Sequence, residues 1–171
     1  MLLKAETFYK SLEKNLHSFF FFADQLPCET LGNNYKYILD NCYYIEATPH
    51  DFTKASENCK DRFGDLGIGR LFEPKTQISN DAVIQEARKT VTTTHIFWMG
   101  IRDSDSKNNW QYVSSNQTIS WTNWHSGFPD NYLGNPENCV NTVIADSFQW
   151  NDESCTRSSP SICELTTDMA V

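Results

Sequence analysis

Several features that would assign this chain of 171 residues to a common protein class are missing. No apolar run approaches the ~20 residues that a membrane-spanning helix needs, so we predict no membrane span. Glycine and proline are scarce, at seven and six residues, which argues against a fibrous protein. None of the six cysteines forms a CxxC pair, so neither a structural zinc site nor a thioredoxin-like redox motif is expected.

Positive charge is also in short supply. The chain has 14 Lys and Arg against 22 Asp and Glu, which gives a formal net charge of −8. Nucleic acids require a basic face because their phosphates must be neutralised, so we expect no nucleic-acid partner. An acidic balance fits a soluble extracellular protein or a protein that binds cations.

The six cysteines are even in number and widely spaced along the chain. This pattern predicts three disulfides and an oxidising compartment, with buried free thiols in a cytosolic protein as the alternative. Spacing alone permits ~15 pairings. The only N-glycosylation sequon, Asn116-Gln-Thr118, predicts an exposed, glycosylated turn in a secreted protein.

The length predicts one domain with a short appendage at each end. Residues 1–27 form an N-terminal extension, residues 28–166 the domain and residues 167–171 a C-terminal tail. Within the extension, Phe8, Leu12 and Leu16 fall on one helical stripe. The extension is therefore either an amphipathic neck that supports a homo-oligomer or an atypical signal segment.

Hydrophobic periodicity predicts two helices followed mainly by short strands, an α+β fold. Asp51 should cap the first helix and Ser79 the second. The apolar stripes are Phe52, Ala55, Cys59 and Phe63 in the first helix, and Val83, Ile84, Ala87 and Val91 in the second. Predicted strands cover 35–38, 42–45, 96–101, 110–113, 139–144, 148–150 and 161–165. Residues 119–138 form a long loop, and loops of this size in compact domains are usually functional or disordered.

Oxygen-bearing side chains cluster at residues 130–137 and again at Asn151 and Asp152. Grouped carboxylates and amides suit Ca²⁺, which takes ~6–8 oxygen ligands. Cys139 and Cys155 bracket the second cluster and could clamp the two together. The peptide bond before Pro129 can be cis, which would direct flanking groups to one side of the loop.

Catalysis is not predicted. The sequence contains neither GxSxG nor HExxH. Asp130 and Glu137 could act as an acid–base pair, but metal ligation is the better-supported role for them.

Several motifs together resemble the C-type lectin-like domain family from about Cys28 to Leu165. Trp98-Met-Gly-Ile101 resembles the family's Trp-Ile-Gly-Leu core strand, and Trp150-Asn-Asp152 matches its Trp-Asn-Asp calcium motif. Glu137-Asn-Cys139 resembles its Glu-(Asp/Asn)-Cys element, and Ser161-Ile-Cys-Glu164 its terminal strand. The resemblance, in its long form, implies the disulfides Cys28–Cys42, Cys59–Cys163 and Cys139–Cys155.

In that family a Ca²⁺ in the long loop directly ligates two sugar hydroxyls. Residue by residue, the resemblance implies Asp130, Glu137, Asn151 and Asp152 as metal ligands. Phe128 stands where the family has Glu or Gln, and its side chain cannot ligate a cation. The carbohydrate-binding residues predicted are Phe128, Asp130, Glu137, Asn151 and Asp152. The Phe128 ring could stack on an apolar sugar face, and the alternative is that it is buried under the loop.

The resemblance thus implies a secreted, calcium-dependent lectin that recognises microbial or cell-surface glycans, as in innate immunity. Mannose-type and galactose-type sugars both remain open, because Asp130 is galactose-like but lacks its usual Gln partner. Asp103, Asn131 and Asn138 are candidates for the family's auxiliary calcium site. The alternative is a calcium-independent module of the same fold that binds a protein or a mineral or ice surface.

Overall fold

The structure is a computed structural model that describes residues 26–94, 96–143 and 147–166. Most of the predicted N-terminal extension and the whole predicted tail lie outside the described residues, so the domain boundaries stay a prediction. Within the described part, no helix is long and apolar enough to cross a membrane.

Three helices precede most of the sheet: α1 (Leu26–Thr30), α2 (Phe52–Lys60) and α3 (Gln77–Thr90). Asp51 caps α2 as predicted, since its side chain accepts a hydrogen bond from the Lys54 N–H. The predicted Ser79 cap of α3 is wrong. Thr76 is the cap, and Ser79, one turn into the helix, completes a capping box with it. The apolar stripe marks the buried face of α3 but not this polar first turn, which lies before it.

Eight strands form one hydrogen-bonded sheet. They are β1 (Tyr35–Ile38), β2 (Asn41–His50), β3 (Gly69–Leu71), β4 (Trp98–Asp103), β5 (Trp110–Tyr112), β6 (Cys139–Thr142), β7 (Trp150–Glu153) and β8 (Ser159–Leu165). The order is β1-β2-β8-β4-β6-β7, with β3 beside β8 and β5 beside β4. The pairings are antiparallel except for β4 with β8. The α+β prediction is confirmed.

One strand boundary matters for function. The sequence predicts a strand at residues 148–150, which ends at the first residue of the Trp-Asn-Asp motif. The strand β7 instead begins at Trp150 and includes the whole motif. Because Phe148 and Trp150 are apolar, we predicted a strand that begins at Phe148 rather than at Trp150. Cross-strand pairing with β6 instead decides the position, because Asn141 lies opposite Asn151 and Val140 opposite Asp152.

The predicted apolar stripes of both helices are buried against the sheet, and so are Trp98 and Trp150. The indole N–H of each of these two has an acceptor: Trp98 Nε1 donates to the His50 carbonyl and Trp150 Nε1 to Asn80 Oδ1. Such pairing avoids the free-energy cost of a buried, unsatisfied donor. The packed core therefore supports β6 and β7, the last two strands in the order of the sheet.

Three disulfides join Cys28 to Cys42, Cys59 to Cys163 and Cys139 to Cys155, as the resemblance implies. The second bond ties α2 to β8 across 104 residues of sequence. The third joins the start of β6 to the residue two positions after β7. It therefore braces the strand pair that carries the candidate site.

Candidate functional site

The long loop after β5 is anchored on β7. Trp124 forms a bridge to Trp150, and the His125 N–H donates to the Trp150 carbonyl at 2.9 Å. Trp121 and Trp124 also pack edge-on against the Trp150 ring, with centroids 5.1 and 5.6 Å away. The tryptophans therefore pack the loop onto the core rather than forming an exposed ligand surface.

Beyond this anchor, Asp152 holds the loop by its side chain. The carboxylate is 1% exposed and accepts hydrogen bonds from the backbone N–H groups of Asp130 and Asn131, at 2.9–3.1 Å. The loop then folds over in a short turn at Tyr132–Gly134. Its return leg is fixed by Glu137, whose N–H donates to Asn131 Oδ1 and whose carboxylate accepts the Tyr132 N–H.

This folding brings three predicted ligands together. A carboxylate oxygen from each of Asp130, Glu137 and Asp152 lies within 4.8 Å of the others. Within residues 26–94, 96–143 and 147–166, no Lys, Arg or His forms an ion pair with any of the three. The cluster therefore concentrates negative charge with no protein cation beside it in that part of the chain.

The electrostatics of the cluster are visible at Glu137, whose pKa is raised. Burial is the main cause; the Tyr132 N–H opposes it, and the negative charges of Asp152, Glu153 and Asp130 add to it. Repulsion of this kind is relieved when a cation binds between the groups. Three carboxylates with amide and carbonyl oxygens nearby are the donor set that Ca²⁺ prefers, so the residues present fit that ion.

Asn151 lies on β7 immediately before Asp152. Its Nδ2 donates to Asn141 Oδ1 on β6 at 3.3 Å, and among the described residues its Oδ1 accepts no hydrogen bond. The Asn151 amide oxygen therefore has no hydrogen-bond partner in the described part of the chain and is available as a ligand. Sequence reasoning missed Asn141, whose one signal is a polar residue at the centre of an apolar strand.

Phe128 contributes no ligand atom, as the substitution implies. Its ring is half-buried and lies against the His125 ring, with centroids 5.8 Å apart. The peptide bond between Phe128 and Pro129 is cis, one of the two forms that the sequence allows.

Two apolar residues at the loop tip were also missed. Tyr132 is 62% exposed and Leu133 is 82% exposed, between the ligand candidates Asp130 and Glu137. Their position in the sequence, inside the cluster of oxygen donors, was the available signal. Large exposed apolar side chains beside a candidate site are a common feature of ligand-binding surfaces.

The residues proposed for an auxiliary calcium site are engaged separately. The Asp103 carboxylate accepts the backbone N–H groups of Asp105 and Asn108 within its own turn, and Asn138 donates to Ser106. Asn131 belongs to the loop around Glu137 instead. A second calcium site therefore stays a prediction.

Comparison with known sequences identifies the family. A family profile described as the Lectin C-type domain matches residues 48–165, more than half of the chain. A perlucin-like protein of Mytilus galloprovincialis is 29% identical over 115 residues, which covers 67% of this chain and 69% of that protein. Tetranectin of Bos taurus is 29% identical over 127 residues, 72% of this chain but only 59% of tetranectin. An alpha-N-acetylgalactosamine-specific lectin of Patiria pectinifera is 25% identical over 130 residues, with 74% and 75% coverage.

Solved structures share the fold. The C-type lectin CEL-I of Cucumaria echinata superposes with a TM-score of 0.70 at 20% identity, covering 80% of this chain and 98% of that one. A Ca²⁺-dependent type II antifreeze protein, in its Ca²⁺-free form, superposes with a TM-score of 0.64 at 22% identity, with 79% and 99% coverage. Domains of this family are non-enzymatic binding modules, in agreement with the lack of catalytic motifs. The profile match, the three disulfides and the shared fold show that this chain belongs to the C-type lectin domain family.

Proposed function

We propose that the chain is a secreted, calcium-dependent carbohydrate-binding domain. The observation that carries the proposal is the convergence of Asp130, Glu137 and Asp152 within 4.8 Å, without a protein cation among the described residues. A cation between the three carboxylates would relieve their mutual repulsion, and their oxygen donors suit Ca²⁺.

Four residues would hold the ion: Asp130, Glu137, Asn151 and Asp152. Bound Ca²⁺ would offer its remaining coordination positions to two neighbouring hydroxyls of a sugar. The protein's part is to fix the donors before the ligand arrives. The Asp152 carboxylate fixes the loop backbone, and Asn141 fixes the amide of Asn151.

The exposed apolar residues suggest how a sugar would be held against the ion. A sugar ring has an apolar face, and the Tyr132 ring beside the cluster could cover it. The sequence likeness to an alpha-N-acetylgalactosamine-specific lectin supports a glycan ligand, while the mannose or galactose type is left to experiment. Single sites of this kind bind weakly, so useful avidity needs several copies, which residues 1–27 would supply as a neck.

Two further features support an extracellular setting. Three disulfides require an oxidising compartment to form. Asn116 is exposed in the turn after β5, where an N-linked glycan would meet no obstruction from the core. The proposed role is recognition of microbial or cell-surface glycans.

A pair of thermal melts tests the proposal. An ion that binds only the folded protein stabilises it by about 2.7 kcal/mol at 100 times its Kd, so the melting temperature should rise with Ca²⁺ and fall back with EDTA. Mg²⁺ serves as the matched control, because it demands a smaller, octahedral site. Retention on immobilised mannose or galactose should require Ca²⁺.

A second candidate function comes from Phe128, which supplies no oxygen at a position where the family has a ligand. A calcium-independent module that binds a protein or a mineral or ice surface would need no ligand there, and the exposed Tyr132 and Leu133 would suit a flat surface. No melting shift with Ca²⁺, together with no retention on any sugar, would favour this function.

A further inference from the structure

The first residue of β7 is held by helix α3. Trp150 begins the strand, and its indole N–H donates to Asn80 Oδ1 at 2.7 Å. The next two residues, Asn151 and Asp152, are candidate calcium ligands. We propose that two residues of α3, Asn80 and Arg88, are positioning residues for the calcium site, because they fix the start of β7 and through it the two ligands. The inference rests on the proposed function and concerns residues that act through β7 rather than as ligands.

Asn80 is a polar residue on the apolar face of α3. Its side chain is fully buried, as are the apolar residues of the same face. Burial of an amide is unfavourable unless its polar atoms form hydrogen bonds. The Oδ1 atom accepts the indole N–H of Trp150, and Nδ2 donates to the Phe148 carbonyl at 2.7 Å and to the Asp81 carboxylate at 2.9 Å. Donor and acceptor thus both engage residues 148–150, the segment that leads into β7.

Arg88 lies two turns further along α3 and holds the same connection. Its Nη2 donates to the Val143 carbonyl at 3.0 Å and to the Ser147 carbonyl at 2.9 Å. The guanidinium also lies over the Phe148 ring, 5.2 Å from the ring centroid. Val143 directly follows β6, and Ser147 lies shortly before the start of β7. The helix therefore holds the connection between the two strands near each of its ends.

The long loop joins the same segment. The Trp150 N–H donates to the Asn123 carbonyl at 2.9 Å, and Asn123 Nδ2 donates to the Phe148 carbonyl at 2.8 Å. That carbonyl therefore accepts from one asparagine of α3 and from one asparagine of the loop that carries Asp130 and Glu137. A displacement of this segment would move ligands on both the strand and the loop. Oxygen ligands lie ~2.3–2.6 Å from Ca²⁺, so a shift of about an ångström is enough to lose a ligand.

Calcium titration by calorimetry tests the inference with Asn80→Leu and Arg88→Met. Leucine has a volume close to that of asparagine but neither donates nor accepts hydrogen bonds, and methionine keeps an unbranched chain without the guanidinium. Each variant should bind Ca²⁺ about tenfold more weakly than the wild type, the lower end of the range for residues that orient metal ligands.

The Trp150 indole N–H gives a second measurement. Because this residue directly precedes two ligands, its proton NMR signal should shift when Ca²⁺ binds the wild type. Asn80→Leu should shift the same signal before any Ca²⁺ is added, since the indole loses its acceptor. A signal that does not respond to Ca²⁺ in a wild type that binds the ion would contradict the coupling between Trp150 and the site.

Asn41→Leu is the matched control. The Asn41 amide also both accepts and donates, from the Cys42 N–H at 2.8 Å and to the Leu165 carbonyl at 3.1 Å. Asn41 lies on β2, which β8 and β4 separate from β6 and β7. Because distant sites act independently, the control should lower the melting temperature in EDTA while leaving calcium affinity within about twofold.

The titrations separate the positioning role from the proposed function. If Asn80→Leu and Arg88→Met bind Ca²⁺ as tightly as the wild type, the positioning role is wrong while the proposed function stands. A lower melting temperature without a loss of calcium affinity, as in the control, overturns the role as well. Should Asn80→Leu fail to fold, the titration of Arg88→Met decides by the same criterion. If the wild type binds no Ca²⁺, the proposed function is wrong and the positioning role fails with it.

Discussion

The buried carboxylate of Asp152 accepts the backbone N–H of Asp130 through both of its oxygens, at 3.1 and 3.0 Å. The two residues are 22 positions apart in sequence. Asp152 lies on β7, a strand of the sheet, and Asp130 lies on the long loop. The contact holds the loop against β7 and places the Asp130 side chain in the carboxylate cluster.

Glu137→Gln should separate calcium binding from loop structure. The glutamine oxygen can still accept the Tyr132 N–H, while one of three repelling charges is removed. We expect the melting temperature in EDTA to stay the same or rise slightly, and the Ca²⁺-induced rise to be lost. Differential scanning calorimetry with and without Ca²⁺ measures both effects.

Asp152→Ala should reduce both calcium binding and the stability of the folded protein in EDTA. The change leaves the N–H groups of Asp130 and Asn131 without their acceptor, so stability in EDTA should fall by about 1–3 kcal/mol as well. Equal melting temperatures of this variant and the wild type in EDTA would show that the carboxylate does not hold the loop.

Asn141→Val should weaken calcium binding from outside the ligand set. The variant loses the acceptor that orients Asn151, and residues that orient metal ligands typically change affinity by about 10–100-fold. Stability without Ca²⁺ should not fall, because valine suits a strand and removes an unsatisfied buried donor. Calcium titration by calorimetry measures the change, and Asn141→Asp, which retains an acceptor oxygen, should bind more tightly than the valine variant. An unchanged affinity in Asn141→Val would contradict the orienting role.

Removal of single disulfides should separate stability from binding. Cys59–Cys163 closes 104 residues and Cys139–Cys155 closes 16, so chain entropy predicts losses of about 4.7 and 3 kcal/mol. The double Ala variant at Cys139 and Cys155 should nevertheless lose more calcium affinity, because that bond braces β6 and β7. Urea unfolding and calcium titration of the two double variants give the comparison, and the same rank order in both measurements would contradict it.

Stability should also depend on pH through Glu164, a buried carboxyl outside the site. Burial raises its pKa from the usual 4.5 to about 7, although Arg70 beside it lowers the value and Glu73 raises it. The folded protein thus holds this proton more tightly than the unfolded chain does. The stabilisation from this group is fully present below about pH 4.5 and is lost as the pH rises through 7.

Urea unfolding in EDTA between pH 4.5 and 7 measures this dependence. Glu164→Gln, which cannot ionise, should show a flatter decline of the unfolding free energy over that range, by at most on the order of 3 kcal/mol. The slope is the quantity to compare, since the variant also loses its ion pair with Arg70. If the unfolding free energies of the variant and the wild type decline with pH at the same rate, the pH dependence arises from other groups.

The sequence by itself determined the α+β class and the family resemblance, and through that resemblance the disulfide pairing. The reason is that cysteine count, apolar periodicity and short motifs such as Trp150-Asn-Asp152 are local properties that survive without coordinates. Cap positions and strand limits were predicted less accurately. Thr76 rather than Ser79 begins α3, because a hydrogen bond within the first turn decides the boundary and hydrophobicity does not.

Only the tertiary structure decided which oxygens meet. Asp130 and Asp152 are brought together by a backbone hydrogen bond that no spacing rule describes, and Asn141 reaches Asn151 through the pairing of two strands. These relationships depend on pairing between residues far apart in the chain, which sequence patterns of short period do not specify.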